Sequence, residues 1–183
     1  MRSGEAGYSA LEMLVTAGII GVVSSIAVIQ IGQARPYMTG DGAMRVIMGQ
    51  LNLAREMAIT QRRQMELQFI GTDQLQVVRQ EVPAGATVVS MVVFEGGVQY
   101  ALINGVIDTP LNFGNSTPTD FGASLRILFN SDGTLIDQSG NPLNGTIFVA
   151  LPNEPRSFRA ITVLGGTGRV RAYRWDGGQW TVV

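Results

Sequence analysis

The sequence predicts an α+β protein in which a long N-terminal helix precedes a domain built on an antiparallel sheet. The first observation behind this class is a run without any charge from Met13 to Gln33. About 20 apolar residues are enough to cross the hydrocarbon core of a bilayer as a helix. The second is a change of pattern after Gln64, where short segments rich in Val, Ile, Phe and Thr alternate with turn residues. Such an alternation is typical of antiparallel strands.

The composition restricts the chemistry that this chain could perform. It contains 183 residues, no cysteine and no histidine, and all 13 basic side chains are arginine. These absences exclude Ser-His-Asp and Cys-His triads, histidine-ligated zinc, Walker-type phosphate loops and Schiff-base lysines. Carboxylate chemistry, or a divalent cation held by oxygen ligands, could still support catalysis, but the acids show no paired spacing that suggests hydrolysis. We therefore expect a protein that is not an enzyme, with no cofactor, no metal site and no small-molecule substrate. With a net charge of −1, any anion site must come from a local arginine cluster.

An acid stands directly before the apolar run and calls for a partner. Glu12 follows Tyr8 by about one helical turn, and Gly7 precedes Tyr8. An ionised carboxylate costs about 2.5–3.5 kcal/mol at the centre of a membrane helix, so it usually has a partner. A secretory signal places its cleavage site after the apolar region, whereas here the hydrophilic residues and Gly7 come first. An ordinary membrane anchor with an incidental acid is the alternative interpretation.

Gly7, Tyr8 and Glu12, opening a run rich in Ile, Val, Ala and Gly, resemble the class III signal of type IV pilins and type II secretion pseudopilins. The resemblance implies that a prepilin peptidase of the bacterial inner membrane cuts between Gly7 and Tyr8 and methylates the new N-terminus. The apolar helix is then retained, and the C-terminal domain lies in the periplasm. In a bundle with other pilins or pseudopilins, Glu12 would pair with the Tyr8 ammonium of a neighbouring subunit, which offsets the cost of burial.

The resemblance and the sequence pattern together divide the chain into four segments. Residues 1–7 are the leader peptide, which holds one base and one acid where family leaders usually carry several basic residues. Residues 8–31 are the transmembrane and assembly helix. Residues 32–63 are the kinked, amphipathic second half of the helix, and residues 64–183 are the β-rich periplasmic domain.

The second half of the helix is predicted from an apolar stripe at helical spacing. The members of the stripe are Met44, Ile47, Met48, Leu51, Ala54 and Ala58. Pro36, Gly40 and Gly42 precede the stripe and predict a kink or a frayed turn. Asp41 is then the N-cap or a first-turn acid of the helix that follows. The methionines are expected to fill the core against the sheet rather than bind a cofactor.

The strands are predicted from β-branched and aromatic segments bounded by turn residues. They are Met65–Ile70, Gln74–Val82, Thr87–Phe94, Gln99–Ile103, Leu125–Phe129, Thr146–Leu151, Arg159–Leu164, Arg169–Trp175 and Trp180–Val183. Residues Asp108–Gly122 have the composition of a loop. The sequences Asp132-Gly-Thr and Asp137–Asn141 superficially resemble calcium loops, but the closing glutamate of an EF-hand is missing, which favours simple turns.

Three stretches of the predicted soluble part are similar to the GspH/FimT branch of the pilin-like proteins. They are Leu51–Ile59, Ile127–Thr134 and Ile161–Arg171. Together with the N-terminal signal they span nearly the whole chain. The resemblance implies a pilin fold, with the long helix packed on an antiparallel sheet domain. It also implies a minor pilin or pseudopilin, a structural subunit of a filament of type II secretion or of a type IV pilus.

Gly168-Arg169-Val170-Arg171 is the motif of the sheet domain that most directly suggests binding. On a strand, Arg169 and Arg171 point to one face and Val170 points to the other. The two arginines are then about 7 Å apart, so they could bind neighbouring phosphates. Arg174 follows, and aromatic residues lie beside it. In FimT-like pilins, a motif of this form implies DNA binding during natural transformation. The alternative is a solvated arginine face, or arginines that bridge to an acid such as Asp176.

Overall fold

The computed structural model describes residues 9–183, apart from the side chains of Ile29 and Gln33. The predicted leader peptide and Tyr8 lie outside the described residues. The chain divides into two compact units, Met1–Arg35 and Pro36–Val183. One helix, α1 (Ala10–Gln61), contributes residues to both. The predicted long N-terminal helix is therefore confirmed, and it ends close to the expected position.

Within the second unit, α1 buries the predicted apolar stripe against the sheets. The helix is not interrupted where a frayed turn was expected, because α1 includes Pro36, Gly40 and Gly42. The prediction of Asp41 as an N-cap or first-turn acid is wrong for the same reason. Gly40 has a packing role instead: a Cβ there would overlap the carbonyl oxygen of Ser157 and lie 3.1 Å from its Cα. Glycine lets the helix approach the sheet closely at this point.

Eleven strands follow the helix in the chain. They are β1 (Met65–Ile70), β2 (Gln74–Gln80), β3 (Ala86–Val93), β4 (Gln99–Tyr100), β5 (Thr119–Asp120), β6 (Ile127–Phe129), β7 (Leu135–Ile136), β8 (Gly145–Leu151), β9 (Glu154–Leu164), β10 (Arg169–Trp175) and β11 (Trp180–Val182). One sheet has the order β3-β2-β1-β6-β7. The other has the order β11-β10-β9-β8-β4, with β5 also paired to β8. Every pairing between these strands is antiparallel, which confirms the predicted α+β class.

Several strand boundaries differ from the prediction, and β9 begins at Glu154 rather than at Arg159. The predicted strand at Leu125–Phe129 begins only at Ile127. Before it, Gln138 Oε1 accepts hydrogen bonds from the backbone N–H groups of Leu125 and Arg126, which leaves Leu125 90% exposed at a turn. The strand expected at Gln99–Ile103 is limited to β4. The predicted loop Asp108–Gly122 contributes β5 to the second sheet.

The two faces of the second sheet are covered by different elements. On one face, Val170 and Ala172 of β10 join the main core, which also contains the stripe of α1. On the opposite face, Tyr173 and Trp175 pack with Phe148, Phe158 and Trp180, beneath the segment that follows β4. Successive side chains of β10 thus alternate between the two clusters, as the period of two of a strand requires.

A partly buried ion pair joins α1 to the second sheet. Asp41 Oδ1 accepts a hydrogen bond from Arg159 Nε at 2.6 Å, and Asp41 Oδ2 accepts one from Arg174 at 2.7 Å. The Arg159 side chain is fully buried and also donates to the carbonyl oxygens of Tyr37 and Phe158. Burial lowers the pKa of the Arg159 guanidinium, and the hydrogen bond to Asp41 opposes that shift. Because a buried charge is costly without its partner, Asp41 fixes the position of α1 on β9.

Removal of this carboxylate should strongly destabilise the folded protein. Asp41→Asn leaves the Arg159 charge buried without its counter-ion. We expect the free energy of unfolding to fall by about 3–5 kcal/mol. Arg174→Gln should cost less, because the side chain of Arg174 is 40% exposed and water screens its interaction. The measurement is denaturant unfolding of the full-length chain in detergent, followed by the fluorescence of its two tryptophans.

The matched control is Glu81→Gln, which removes the more exposed ion pair between Arg79 and Glu81. Exposed ion pairs contribute little to stability, so this variant should unfold almost as the parent chain does. Equal destabilisation by Asp41→Asn and Glu81→Gln would contradict the role given to Asp41.

Candidate functional site

The first candidate site is the beginning of α1. Glu12 lies in the first turn of the helix with its side chain exposed. A carboxylate at this position interacts favourably with the helix dipole. The hydroxyl oxygen of Ser9 accepts a hydrogen bond from the backbone N–H of Leu11 at 3.3 Å. Gly7 and Tyr8 lie outside the described residues, so the cleavage site and the ion pair of Glu12 stay predictions.

The part of α1 around and after Glu12 presents an apolar surface. Its exposed large side chains are Leu11, Met13, Leu14, Val15, Ile19, Ile20, Val22, Val23, Ile26, Val28 and Ile31. Thr16 donates its hydroxyl to the carbonyl oxygen of Glu12, and Ser25 donates to that of Gly21 at 2.8 Å. These two hydroxyl groups are thus satisfied within the helix, as a hydrocarbon environment requires.

The length and composition of this segment meet the requirements of a membrane span. Among residues 9–183, α1 is the one helix that is long and apolar enough to cross a membrane, and its most apolar stretch contains no buried residue. The core helix of a soluble protein would bury most of such a stretch. A retained span and an N-terminal signal both meet the same criterion.

The second candidate site is the arginine motif on β10. Arg169 is exposed and Arg171 half-buried, and both line one small cavity of about 100 Å³. Leu111, from the loop before β5, and Leu164, from β9, complete the lining. Val170 packs into the main core on the opposite face, so the predicted orientation of the two arginines is confirmed. Two arginines and two leucines thus line the cavity, and this combination of residue types suits an anion attached to an apolar group.

Gly168, the first residue of the motif, is required by the packing of the turn before β10. Its φ of +63° lies in the left-handed region that favours glycine. A Cβ there would overlap the carbonyl oxygen of Gly133 and lie 2.7 Å from Nε of Arg55. That nitrogen donates to the same carbonyl oxygen at 3.1 Å. Gly168 thus allows the turn between β9 and β10 to pack closely against Arg55 of α1.

Arg174 does not belong to the same site as Arg169 and Arg171. Arg174 is three positions after Arg171 on β10, so its side chain lies on the other face of the sheet. There it pairs with Asp41 of α1. The expected set of three arginines is therefore divided between the two faces of the sheet. Asp176, the acid proposed as an alternative partner, accepts hydrogen bonds from the backbone N–H groups of Gly178 and Gln179. These hydrogen bonds lower the pKa of Asp176. The Asp176 carboxylate thus stabilises a turn and is not the partner of Arg169 or Arg171.

The two sequences that resemble calcium loops are turns closed by their own aspartates. Asp132 Oδ1 accepts hydrogen bonds from the hydroxyl and the backbone N–H of Thr134, at 2.6 and 2.9 Å. Asp137 Oδ1 accepts from the N–H groups of Ser139 and Asn141. These bonds lower the pKa of both carboxyl groups. The interpretation as turns is confirmed.

Two features of the sites were missed by the sequence analysis. Leu111 comes from a segment without periodicity, and nothing in its neighbourhood indicates that it lines a cavity on β10. Asp41 left a clearer trace: it is the one acid between Glu12 and Glu56, and it lies three residues before Met44, on the continuation of the buried stripe. An acid on a core-facing stripe indicates a buried partner, although not which arginine provides it.

Comparison with known proteins adds one similarity of fold. No protein-family model and no curated protein sequence matches this chain. Among solved structures, the chain is similar to the minor pseudopilin EpsH of the type 2 secretion system of Vibrio cholerae, with a TM-score of 0.47 and 14% sequence identity. The similarity covers 72% of this chain and 93% of the EpsH chain. At this level of similarity, function has to be argued from the residues of this chain.

Proposed function

We propose that this chain is a minor pilin or pseudopilin, a structural subunit of a periplasmic filament of type II secretion or of a type IV pilus. The observation that carries the proposal is the surface of residues 9–35, whose described side chains are all exposed and almost all apolar or small. A contiguous apolar surface of this extent is unfavourable in water and marks contact with a membrane or another protein. The segment therefore requires lipid or other apolar helices around it.

The same helix would serve two environments in succession. As a precursor, the chain would cross the inner membrane through this helix, with the β-rich domain in the periplasm. After prepilin peptidase cuts between Gly7 and Tyr8 and methylates Tyr8, the helices of several subunits would gather into one bundle. The apolar side chains that faced lipid are then buried against each other, which supplies the cohesion of the filament.

Glu12 gives this bundle a defined register. Its carboxylate is the one acidic group between residues 9 and 40, and cleavage after Gly7 would create an ammonium group about one turn away at Tyr8. Within one helix the two groups belong to the same subunit, but a stagger between helices brings each carboxylate to the ammonium of a neighbour. Pairing of the two charges offsets the cost of burying either one.

Glu12→Ala should separate processing from assembly. We expect normal removal of residues 1–7 but at least a tenfold fall in incorporation into filaments, because about 1.4 kcal/mol corresponds to a tenfold change in an equilibrium constant. The measurement compares leader removal, by electrophoretic mobility, with the amount of the chain in the purified filament fraction. Glu56→Ala, which removes another exposed acid from the same helix, is the matched control. Normal incorporation of Glu12→Ala would contradict the pairing.

A second candidate function, DNA binding for uptake by a FimT-like minor pilin, is favoured by the cavity on β10. Arg169 and Arg171 share that cavity, and the exposed position of Arg169 leaves its guanidinium accessible to a phosphate. Alternate residues of a strand are spaced about 7 Å apart, which is compatible with successive phosphates. Because the net charge is −1, attraction of DNA would depend on this local cluster alone.

Replacement of both arginines tests this second function. For the full-length chain in detergent, Arg169→Ala combined with Arg171→Ala should weaken DNA binding at least tenfold. With duplex DNA it should also reduce the slope of log affinity against log salt by about 1.8, the contribution of two phosphate contacts. Arg62→Ala combined with Arg63→Ala removes the same charge after the end of α1 and is the control. If affinity and salt slope do not change in the first variant, DNA binding at this site is refuted, while the filament function is unaffected.

A further inference from the structure

A groove of the second unit lies between α1 and the end of β3, and it shares no lining residue with the cavity on β10. Its volume is about 410 Å³, within the range of ligand cavities of about 300–1,000 Å³. One wall is formed by α1 through Met38, Gly42 and Val46, which follow each other at intervals of four residues on one helix face. The other wall is formed by Val92, Val93 and Phe94.

Direct contacts tie the helix to the sheet near both ends of the groove. Near one end, the hydroxyl of Ser90 on β3 donates to Gln50 Oε1 of α1 at 2.6 Å. At the other end, the turn at Gly96 fits so closely against the helix that a Cβ on Gly96 would lie 2.6 Å from Cγ2 of Thr39. The groove is thus held open by a fixed spacing between the two walls. Such a preformed site loses little conformational entropy when it is occupied.

The strand that borders the groove has an unpaired edge. In the described part of the chain, β3 is the last strand of its sheet and pairs with β2 alone. Its register is regular from Ser90 to Val93, and the one irregularity lies beyond this segment, opposite Val77 and Val78. Edge strands are usually protected by charged residues or proline, but Ala86–Val93 contains neither. Its free backbone N–H and C=O groups are available to another strand.

The helix wall lacks the side chain that would otherwise close the groove. Gly42 is exposed, and a Cβ built on it meets no atom within 4 Å. Met38 and Val46, one turn before and one turn after it, are 72% and 39% exposed. Glycine in the middle of a helix costs about 1 kcal/mol relative to alanine, so its presence here keeps space beside β3 at the expense of helix stability.

We propose that β3 and α1 form a docking site for an extended segment of a partner protein, which adds to the first sheet as a further strand. The segment would pair its backbone with β3 at the normal spacing of about 4.8 Å and place alternate side chains in the groove. The groove accepts apolar side chains, since its walls carry Met38, Val46 and Val92. Its one charged lining residue is Glu95, at the end of the groove, so the partner segment carries a basic residue at the matching end.

A designed peptide tests this docking directly on the full-length chain in detergent. The probe is a fluorescent peptide of about ten residues, the length of a long strand, in which valine alternates with threonine and one terminal residue is arginine. We expect saturable binding, measured by fluorescence anisotropy. The same peptide with every backbone amide N-methylated cannot donate a hydrogen bond to β3 from either edge, and it should bind at least tenfold more weakly. Equal binding of the two peptides would overturn strand addition.

A pair of glycine variants tests the position of the site. Gly42→Leu fills the groove and should weaken binding of the probe at least tenfold. Gly49→Leu places the same side chain on another exposed glycine of α1 that has open space around it and does not line the groove, so binding should be unchanged. Both substitutions favour the helix, so circular dichroism should show intact folding. Equal effects of the two variants would overturn the assignment of the groove.

Sedimentation of the chain without peptide distinguishes the remaining occupant. If the chain forms a dimer that Gly42→Leu dissociates and Gly49→Leu does not, the groove is filled by a second copy and the proposal is overturned. If Gly42→Leu leaves the association state unchanged but abolishes peptide binding, docking of a different protein is supported. Neither processing of the leader nor filament assembly enters these measurements, so their result does not depend on the proposed filament function.

Discussion

The charge pairing of Asp41 with Arg159 and Arg174 is the interaction on which the arrangement of the second unit depends. Arg159 has no contact with water, so its charge is tolerated only while a carboxylate from α1 lies against it. That requirement fixes the rotation of the helix about its own axis. With the rotation fixed, the apolar stripe faces the core and Gly40 contacts the sheet. The same rotation turns Gly42 outwards, beside the unpaired edge of β3.

Much of this architecture follows from local patterns in the sequence. The stripe on α1 and the common face of Arg169 and Arg171 depend on side-chain period alone, and the structure confirms them. The existence of β8, β9 and β10 follows from β-branched and aromatic segments bounded by turn residues, although β9 begins five residues before the predicted start. Asp41 and Arg174 could not be placed in this way, because they are separated by 133 positions in the chain and no local pattern selects the partner. The path of the loop before β5 could not be predicted for a similar reason, since the segment has no periodicity of its own. Its position depends on contacts with distant residues, such as the pairing of β5 with β8.

The three arginines of β10 have different roles according to the face of the strand on which they lie. Arg174 on the helix side contributes to stability, whereas Arg169 and Arg171 on the opposite side line a cavity at the surface. Sequence proximity grouped the three together, and strand alternation separates them. The same division applies to glycines that look alike in sequence. Gly40 and Gly168 permit close backbone contact, whereas Gly42 leaves open space in the wall of a groove.

The central claim is that the apolar helix is retained, first facing lipid and afterwards other subunits. The intact mass and N-terminal sequence of the mature chain, purified from a host with its prepilin peptidase, test this most directly. The account predicts a chain that begins with N-methylated Tyr8 and still contains the whole apolar run from Met13 to Gln33. A mature chain that begins after this run would identify the helix as a removed signal and contradict the account.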